Sequence, residues 1–366
     1  MPQFFIGLMS GTSIDSVDAV LVDFAKPLKI IAVHKEKIPA DLKQSLFDIC
    51  HPSHDEINRL GKLDREVGKL FAKASLKLLK NTQIQPKNII AIGSHGQTIR
   101  HHPAGKNGFT LQIGDPNTIA SLTGITTVAD FRKRDIAAGG IGAPLTPAFH
   151  RYFFYHSKQD TAVVNIGGIA NITILPRNKT EHITGFDTGP GNMLLDAWIR
   201  KHLNLEYDCD GKWAAEGVVK QQLLNKLLAD PYFKLKPPKS TGREYFNLQW
   251  LRSHLSEKLK PVDIQATLVE LTALTITNAI NNYAKKAGKI FICGGGAHNK
   301  YLLQRLNMLN FKRQILSTET LGINPVLVEP IAFAWFAKQT LAYKPINLTT
   351  VTGARHPVIL GGIYVA

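Results

Sequence analysis

Apolar and polar positions along the chain form short apolar runs separated by longer amphipathic stretches, a pattern typical of α/β proteins. Apolar runs at Phe4–Gly7, Ala19–Phe24 and Asn88–Ile92 predict strands that end in polar or glycine-containing turns. Before the last of these runs, apolar residues recur at helical spacing over His54–Lys80, with Lys and Glu between them. The first part of the chain is therefore predicted to be a sheet with helices packed against it.

The second part of the chain repeats this design. Thr161–Ile166 and Ile169–Leu175 read as two strands joined by a glycine turn, as do the two strands within residues 4–24. Two such hairpins, one early in each half, predict a duplicated domain whose glycine turns face each other across a nucleotide cleft. We place the lobes at residues 1–138 and 139–366, with the last segment free to pack back on the first lobe.

Composition narrows the class of protein. The 366 residues are 44% hydrophobic, which is enough for two domains with cores of their own. Lys and Arg number 44 against 28 Asp and Glu, a net charge of +16 that favours anionic partners such as nucleotides, acidic sugars or nucleic acid. The basic residues are scattered and no run of them is interleaved with aromatics, which counts against a nucleic-acid groove. The charge is equally consistent with a solubility trait.

The cysteines and apolar segments bear on location. Cys50, Cys209 and Cys293 stand far apart with no Cys-x-x-Cys, which argues against a disulfide framework or a zinc site and suits a reducing cytosol. The apolar run at Phe4–Met9 is too short for a signal-peptide core, and no stretch approaches the roughly 20 apolar residues of a membrane span. We therefore expect a cytoplasmic protein with no membrane partner.

The stretch Thr184–Asn192 carries the candidate catalytic base. A short apolar lead-in ends in Asp187, and two glycines and a proline then predict a tight turn before a helical pattern begins. The helix would point its free N–H groups at this turn, which favours an anion there. Asp187 is therefore either a general base beside an anion site or only a turn or capping residue.

Phosphate binding is predicted at the tip of the first hairpin, where exposed N–H groups and hydroxyls can hold phosphate oxygens. Asp15 and Asp18 could bind Mg²⁺ there, because this ion favours one or two carboxylates together with phosphate. In the second half Asn171 lies beside the matching turn. Three consecutive glycines at Gly294–Gly296 leave a surface on which a base or ribose could lie.

Candidate substrate ligands lie at two strand ends. His95 is flanked by glycines after the strand at Asn88–Ile92, where open α/β sheets bind ligands, although a lone His there is as often structural. Arg132 and Arg134 follow another predicted strand and could hold a carboxylate with bidentate hydrogen bonds. The sequence does not distinguish between the two arginines.

Eight motifs in one order give the chain a resemblance to the anhydro-N-acetylmuramic acid kinases, from about residue 5 to the C-terminus. The motifs span Met9–Ser13, Ser94–Thr98, Gln112–Asp115, Ala129–Arg132, Asn165–Asn171, Thr184–Asn192, Lys239–Glu244 and Cys293–Asn299. The resemblance implies the two-lobed α/β fold of the actin, hexokinase and Hsp70 ATPases, which is a duplicated ribonuclease H-like fold.

The resemblance also implies a reaction and its residues. Such an enzyme uses ATP and water to open the 1,6-anhydro bridge of the sugar and phosphorylate the freed O6, in peptidoglycan recycling; a homodimer is also implied. Asp187 matches the family's base, and Glu329 an acid near the sugar. The resemblance assigns ATP and phosphate binding to Gly11, Thr12, Ser13, Ile14, Asp15, Ser16, Val17, Asp18, Gly294, Gly295 and Gly296. The repeated hairpin adds Gly167, Gly168 and Asn171 as phosphate ligands.

Two positions depart from the family pattern. Ser16 stands where the family has glycine, which bears on any backbone angle that needs glycine in the phosphate loop. Pro330 follows Glu329, so we expect the final helix to begin about there. Two other functions remain open on the residues alone: another sugar kinase of the same fold, which would lack the water-dependent step, and a basic nucleic-acid-binding protein.

Overall fold

The computed structural model describes residues 2–11, 13–25, 27–178, 180–255 and 258–366. Thr12, one of the residues expected to bind phosphate, lies outside these ranges. The chain divides into two compact units, Met1–Phe149 with Leu327–Ala366, and His150–Val326. The division thus falls after Phe149 rather than after residue 138, and the glycine-rich stretch 137–144 belongs to the first unit.

Strands and helices alternate along both units. The strands are β1 (Phe4–Met9), β2 (Ser16–Asp23), β3 (Lys29–Lys37), β4 (Ile89–Ser94), β5 (Gln97–His102), β6 (Phe109–Ile113), β7 (Thr127–Ala129), β8 (Thr161–Ile166), β9 (Ile169–Leu175), β10 (Thr184–Pro190), β11 (Lys289–Cys293), β12 (Gln314–Ser317) and β13 (Gly362–Tyr364). The helices are α1 (Ala40–Ile49), α2 (Glu56–Lys80), α3 (Pro116–Thr123), α4 (Phe131–Ala137), α5 (Thr146–Phe153), α6 (Met193–Leu203), α7 (Lys212–Ala215), α8 (Gln221–Leu228), α9 (Leu248–His254), α10 (Pro261–Tyr283), α11 (Lys300–Leu309), α12 (Val328–Leu341) and α13 (Thr349–Thr352).

The two main sheets share one topology. Their strand orders are β13-β7-β4-β1-β2-β3 and β10-β9-β8-β11-β12. In each sheet three consecutive strands form an antiparallel meander, β1 to β3 in the first and β8 to β10 in the second. Two later strands then add in parallel beside the first strand of that meander. This repeat confirms the duplicated α/β fold predicted from the two glycine hairpins.

Helices cover the first sheet. The helix predicted over His54–Lys80 is α2, and its buried residues Leu63, Val67 and Phe71 pack in the core beneath β1 and β2. The helix α12 lies directly on the glycines of β1 and β4, Gly7 and Gly93, which pair with each other. A Cβ at Gly7 would come within 1.8 Å of the Pro330 carbonyl oxygen, so only glycine admits the helix at this distance.

The core of the second unit is organised around α10. This helix is buried on almost every side, as its long run of apolar residues requires, and it packs against β9, β10 and α6. A partly buried ion pair links this helix to α11: both Nε and Nη2 of Arg305 donate to the Glu270 carboxylate, at 2.7 and 3.0 Å. Within the described ranges, neither unit has a helix long and apolar enough to cross a membrane.

Candidate active site

Asp187 lies inside β10, where it pairs with Asn171 of β9. The tight turn expected directly after it is absent, because the strand continues to Pro190 and stays paired with β9. The glycines instead serve a bulge between Asp187 and Gly189, whose φ of 147° is open to few other residues. A Cβ at Gly189 would also lie 2.7 Å from the Phe233 ring.

Three contacts hold Asp187 in place, and only 7% of the residue is exposed. Its Oδ2 accepts a hydrogen bond from the Thr241 backbone N–H at 3.0 Å, and its own N–H donates to the Lys239 carbonyl oxygen at 3.2 Å. The Tyr232 hydroxyl donates to the Asp187 carbonyl oxygen at 2.8 Å. These contacts come from the segment Tyr232–Thr241, which holds the Asp187 carboxylate from outside its own strand.

A lysine lies close to this carboxylate. The Lys239 ammonium lies 4.5 Å from the centre of the Tyr232 ring and donates to the Tyr232 carbonyl oxygen at 3.1 Å. Burial lowers the pKa of Lys239, and the nearby Asp187 carboxylate partly opposes this shift. Burial and the same carboxylate raise the pKa of Tyr232, which keeps its hydroxyl a neutral donor. The sequence showed the loop Lys239–Glu244 only as a family motif and gave no sign that it holds Asp187.

Carbonyl oxygens of the glycine turn between β8 and β9 lie against the start of α6. The N–H groups of Gly191 and Met193 donate to the Gly168 carbonyl oxygen at 2.9 and 3.1 Å, and that of Asn192 donates to the Gly167 carbonyl oxygen at 2.8 Å. This turn therefore occupies the N–H groups up to Met193, the first of those that were expected to point at an anion. Gly191 allows the two backbone segments to come this close, because a Cβ at this position would lie 2.4 Å from the Gly167 carbonyl oxygen.

A row of polar residues crosses the second sheet at this level. Asn165, Asn171 and Asp187 are register partners on β8, β9 and β10, so their side chains share one face of the sheet. The Oδ1 atoms of Asn165 and Asn171 are buried and lack a hydrogen-bond partner within the described part of the chain. Gly294, with φ of 80°, follows β11 beside this row, and a Cβ there would lie 2.4 Å from the Asn165 Oδ1. Three sequence motifs of the second unit thus meet at one corner of its sheet.

The first glycine loop connects β1 to β2. Ile14, with φ of 55°, donates its N–H to the Gly11 carbonyl oxygen at 3.2 Å and buries its side chain in the core. Val17 and Ser16 are also buried, whereas Ser13 is exposed. Among the described residues of this loop, Ile14 and Val17 could therefore meet a phosphate through their backbone only.

The two aspartates of this loop differ. Asp15 forms an ion pair with the Lys43 ammonium. Asp18 is half-buried at the start of β2, and burial raises its pKa against the opposing effects of Lys35 and Ser16. Within the described ranges no three His, Cys, Asp or Glu side chains gather as a metal site.

His95 and Arg132 form one unit of structure. The buried ring of His95 contacts the Gly96 carbonyl oxygen through Nδ1 at 2.8 Å, and its Nε2 accepts from the Arg132 Nε–H at 2.9 Å. Arg132 also donates to the Gly142 carbonyl oxygen at 2.9 Å. Burial and the adjacent guanidinium lower the pKa of His95 well below its usual range. Both ring nitrogens of His95 are engaged, so this side chain orients Arg132.

The remaining candidates are Arg134 and Glu329. Arg134 lies two residues after Arg132 on α4 and is exposed. Glu329 is half-buried in the first turn of α12, directly before the Pro330 carbonyl that rests on Gly7. The helix begins at Val328, close to where the proline predicted it.

The duplicated sheets and their glycine hairpins define an α/β protein of the actin-like ATPase fold. Two solved structures share this fold. Component A of (R)-2-hydroxyglutaryl-CoA dehydratase from Acidaminococcus fermentans matches with a TM-score of 0.52 and 12% identity, over 93% of this chain and 99% of that one. The activator of 2-hydroxyisocaproyl-CoA dehydratase from Clostridium difficile with bound ADPNP matches with a TM-score of 0.50 and 12% identity, over 94% of this chain and 100% of that one. Because both are only 12% identical to the chain, these structures show the fold and nothing about the activity.

Sequence relatives decide the family. The family model for anhydro-N-acetylmuramic acid kinase matches residues 3–366. Curated relatives of that name from Coxiella burnetii (strain RSA 493) and Shewanella sp. (strain MR-4) are each 55% identical to the chain, over 98% and 99% of its length and 97% and 99% of their own. The chain belongs to the anhydro-N-acetylmuramic acid kinase family, and it is a kinase that uses ATP.

Proposed function

We propose that the chain opens the internal anhydro bridge of anhydro-N-acetylmuramic acid with water and phosphorylates the freed hydroxyl. The products are N-acetylmuramic acid 6-phosphate and ADP, and the reaction returns cell-wall sugar to metabolism. The observation that carries the proposal is the buried carboxylate of Asp187, held by backbone contacts from the loop Lys239–Glu244 in a chain of this kinase family.

Asp187 is proposed as the general base. It takes a proton from a water whose oxygen bonds to the anomeric carbon while the bond from that carbon to the bridging oxygen breaks. The released oxygen attacks the γ-phosphorus of ATP, and the bond from that phosphorus to ADP breaks. The backbone contacts to Thr241 and Lys239 would keep the carboxylate aimed at the water without side-chain rotation.

The glycine segments are proposed to bind ATP. Support comes from the open space beside Gly11, the half-buried turn at Gly167 and Gly168, the close packing of Gly294 and Gly296 on either side of the exposed Gly295, and the buried amide oxygen of Asn171. Of the two aspartates proposed for Mg²⁺, Asp18 fits better, because the carboxylate of Asp15 already pairs with Lys43. The ion would supply positive charge to the transferring phosphoryl group.

Arg132 is proposed to bind the lactyl carboxylate of the sugar. Its contacts with His95 and Gly142 hold the guanidinium in one orientation, whereas Arg134 is exposed. We expect Arg132→Ala to raise KM for the sugar by about ten- to hundredfold, the loss of roughly 1.5–3 kcal/mol of charge-assisted hydrogen bonding, with KM for ATP nearly unchanged. Arg134→Ala is the matched control and should leave both constants within a few-fold. If steady-state kinetics showed that Arg134→Ala raises KM for the sugar more than Arg132→Ala does, the carboxylate would be assigned to Arg134 instead.

The proposed function is tested by ATP turnover with and without the sugar. The purified chain should release ADP only when anhydro-N-acetylmuramic acid is present, and the product should carry one oxygen atom from ¹⁸O-labelled water at its anomeric carbon. Turnover with ordinary hexoses and no label would indicate another sugar kinase of this fold. Retention on nucleic acid with no ADP release would favour the basic binding protein that the net charge of +16 leaves open.

The enzyme is further proposed to be a cytoplasmic homodimer. An ATP-consuming enzyme whose three cysteines are widely spaced in sequence suits the cytoplasm. A homodimer is proposed from the family resemblance, and sedimentation of the purified chain would decide it.

A further inference from the structure

The motif Gln112–Asp115 has no part in the proposed chemistry. Its first residue, Gln112, lies on β6, which pairs with β5 in a two-stranded sheet of the first unit. Thr98 pairs with Gln112, and His101 pairs with Thr110, so these four polar side chains share one face of the hairpin. The helix α4, which carries Arg132, packs against β6.

Two buried polar atoms on this hairpin face have no hydrogen-bond partner within the described residues. The Gln112 amide group donates to the hydroxyls of Thr110 and Thr98 at 2.7 and 3.3 Å, but its Oε1 is buried without a partner within the described residues. The same holds for Nε2 of His101. Buried polar atoms without partners are rare because they lose their hydration, so two on one hairpin face point to a missing partner.

One tautomer of His101 makes Nε2 an acceptor. The Thr110 hydroxyl accepts from Gln112 and lies 3.4 Å from the Arg100 carbonyl oxygen, to which it can donate its one hydrogen. In that arrangement His101 Nδ1, 3.0 Å from the hydroxyl, is the donor and Nε2 is a bare acceptor, and this is the tautomer that the proposed subsite uses. Burial and the charge of Arg132 lower the pKa of His101 to about 4, so the ring stays neutral near pH 7.

This arrangement selects one class of ligand. Two acceptors repel an anion placed directly on them, and the charge of Arg132, felt at His101, disfavours a metal cation. Uncharged donors, such as an amide N–H and a hydroxyl, fit the acceptors, and a carboxylate on the same molecule fits the arginine. An acetamido sugar acid has all three groups.

We propose that Gln112 Oε1 and His101 Nε2 form a subsite that accepts hydrogen bonds from the acetamido N–H and a hydroxyl of the sugar. The proposal rests on the proposed function, since it takes anhydro-N-acetylmuramic acid as the ligand. The subsite makes the hairpin a determinant of specificity for acetamido sugars, separate from the carboxylate contact of Arg132.

The test pairs two sugars with two variants. Anhydro-N-acetylmuramic acid has both the acetamido and the carboxylate groups, and anhydro-N-acetylglucosamine has only the first. Gln112→Met keeps the length of the side chain but removes its acceptor together with the donors to Thr110 and Thr98, and it should weaken the Kd of both sugars by roughly tenfold. Arg132→Met should weaken only the first sugar. Titration calorimetry measures each Kd, and exposed Gln44→Met on α1 is the matched control.

Further variants exclude a merely structural effect. Gln112→Glu keeps an acceptor oxygen and should bind anhydro-N-acetylglucosamine within a few-fold of the wild type. His101→Phe removes the second acceptor and should repeat the loss seen with Gln112→Met; it also replaces that variant if the latter does not fold. ADP affinity and the melting temperature should stay unchanged in every variant used.

Other results would overturn the subsite. Unchanged Kd values for both sugars in Gln112→Met and His101→Phe would mean that a water satisfies the two acceptors. A loss confined to the carboxylate sugar would mean that the hairpin only supports Arg132. A wild-type chain that binds neither sugar would overturn the proposed function along with the subsite, whereas normal sugar-dependent turnover with unchanged variants would overturn the subsite alone.

Discussion

Replacing Asp187 by Asn is expected to lower kcat by at least about 10²-fold while the chain still folds and binds nucleotide. Asn retains an oxygen that can accept the hydrogen bond from the Thr241 N–H, and the backbone contacts to Lys239 and Tyr232 do not involve the side chain. What the variant loses is the capacity to take a proton from water. KM for the sugar should change little, because the interaction is made in the transition state.

Steady-state kinetics and a thermal melt of purified Asp187→Asn decide whether Asp187 is the base. The exposed Asp41→Asn, in the first turn of α1, removes the same charge far from any candidate site residue in the sequence and should turn over normally. If Asp187 were only a structural residue of the bulged strand, Asn would serve almost as well and activity would survive. A variant that melts like the wild type and turns over within a few-fold of it would refute the assignment of the base.

The repeated glycine hairpins were visible in the sequence because they are local. A strand, a glycine turn and a second strand lie within about 20 residues, and each half of the chain has its own copy at Phe4–Asp23 and Thr161–Leu175. Amphipathic periodicity likewise predicted α2 almost to the residue, at Glu56–Lys80. Both signals depend on neighbours along the chain, which the sequence displays directly.

The contacts around Asp187 were not visible, because they join segments far apart in sequence. The loop that holds its carboxylate comes more than 50 residues later, and Thr241 contributes a backbone N–H that any residue except proline would have. The glycines that predicted a turn were equally ambiguous: Gly189 forms a bulge, and Gly191 admits the carbonyl oxygen of Gly167. A glycine in sequence indicates a special backbone without saying which one.

The pair of arginines shows the same limit at shorter range. Arg132 and Arg134 have the same chemistry and nearly the same position, so the sequence could not rank them. The structure separates them through a residue 37 positions earlier, since only Arg132 donates to the neutral ring of His95. Which of two equivalent side chains is held depends on tertiary contacts.

A large stability effect is expected where α12 rests on the first sheet. A Cβ at Gly93 would lie 2.0 Å from the Phe333 carbonyl oxygen, and one at Gly7 would lie 1.8 Å from that of Pro330. Both obstacles are helix backbone, which cannot rotate away as a side chain could. Gly93→Ala should therefore lift the helix from the strands and destabilise the chain by about 3 kcal/mol or more, at or beyond the upper end of usual overpacking costs.

The melting temperature of Gly93→Ala should accordingly fall by several degrees, and activity should fall with it, because the first turn of α12 carries Glu329. Gly61→Ala is the matched control: it lies exposed on α2 with no atom within 4 Å of the added carbon, and it should stabilise the chain by roughly 0.5–1 kcal/mol.

The double variant Gly7→Ala/Gly93→Ala separates two explanations. If one displacement of the helix relieves both clashes, the second substitution should cost much less than the first. Strictly additive losses, or a Gly93→Ala that melts like the wild type, would mean that the strands yield at each glycine and that α12 does not rest on them as a rigid rod.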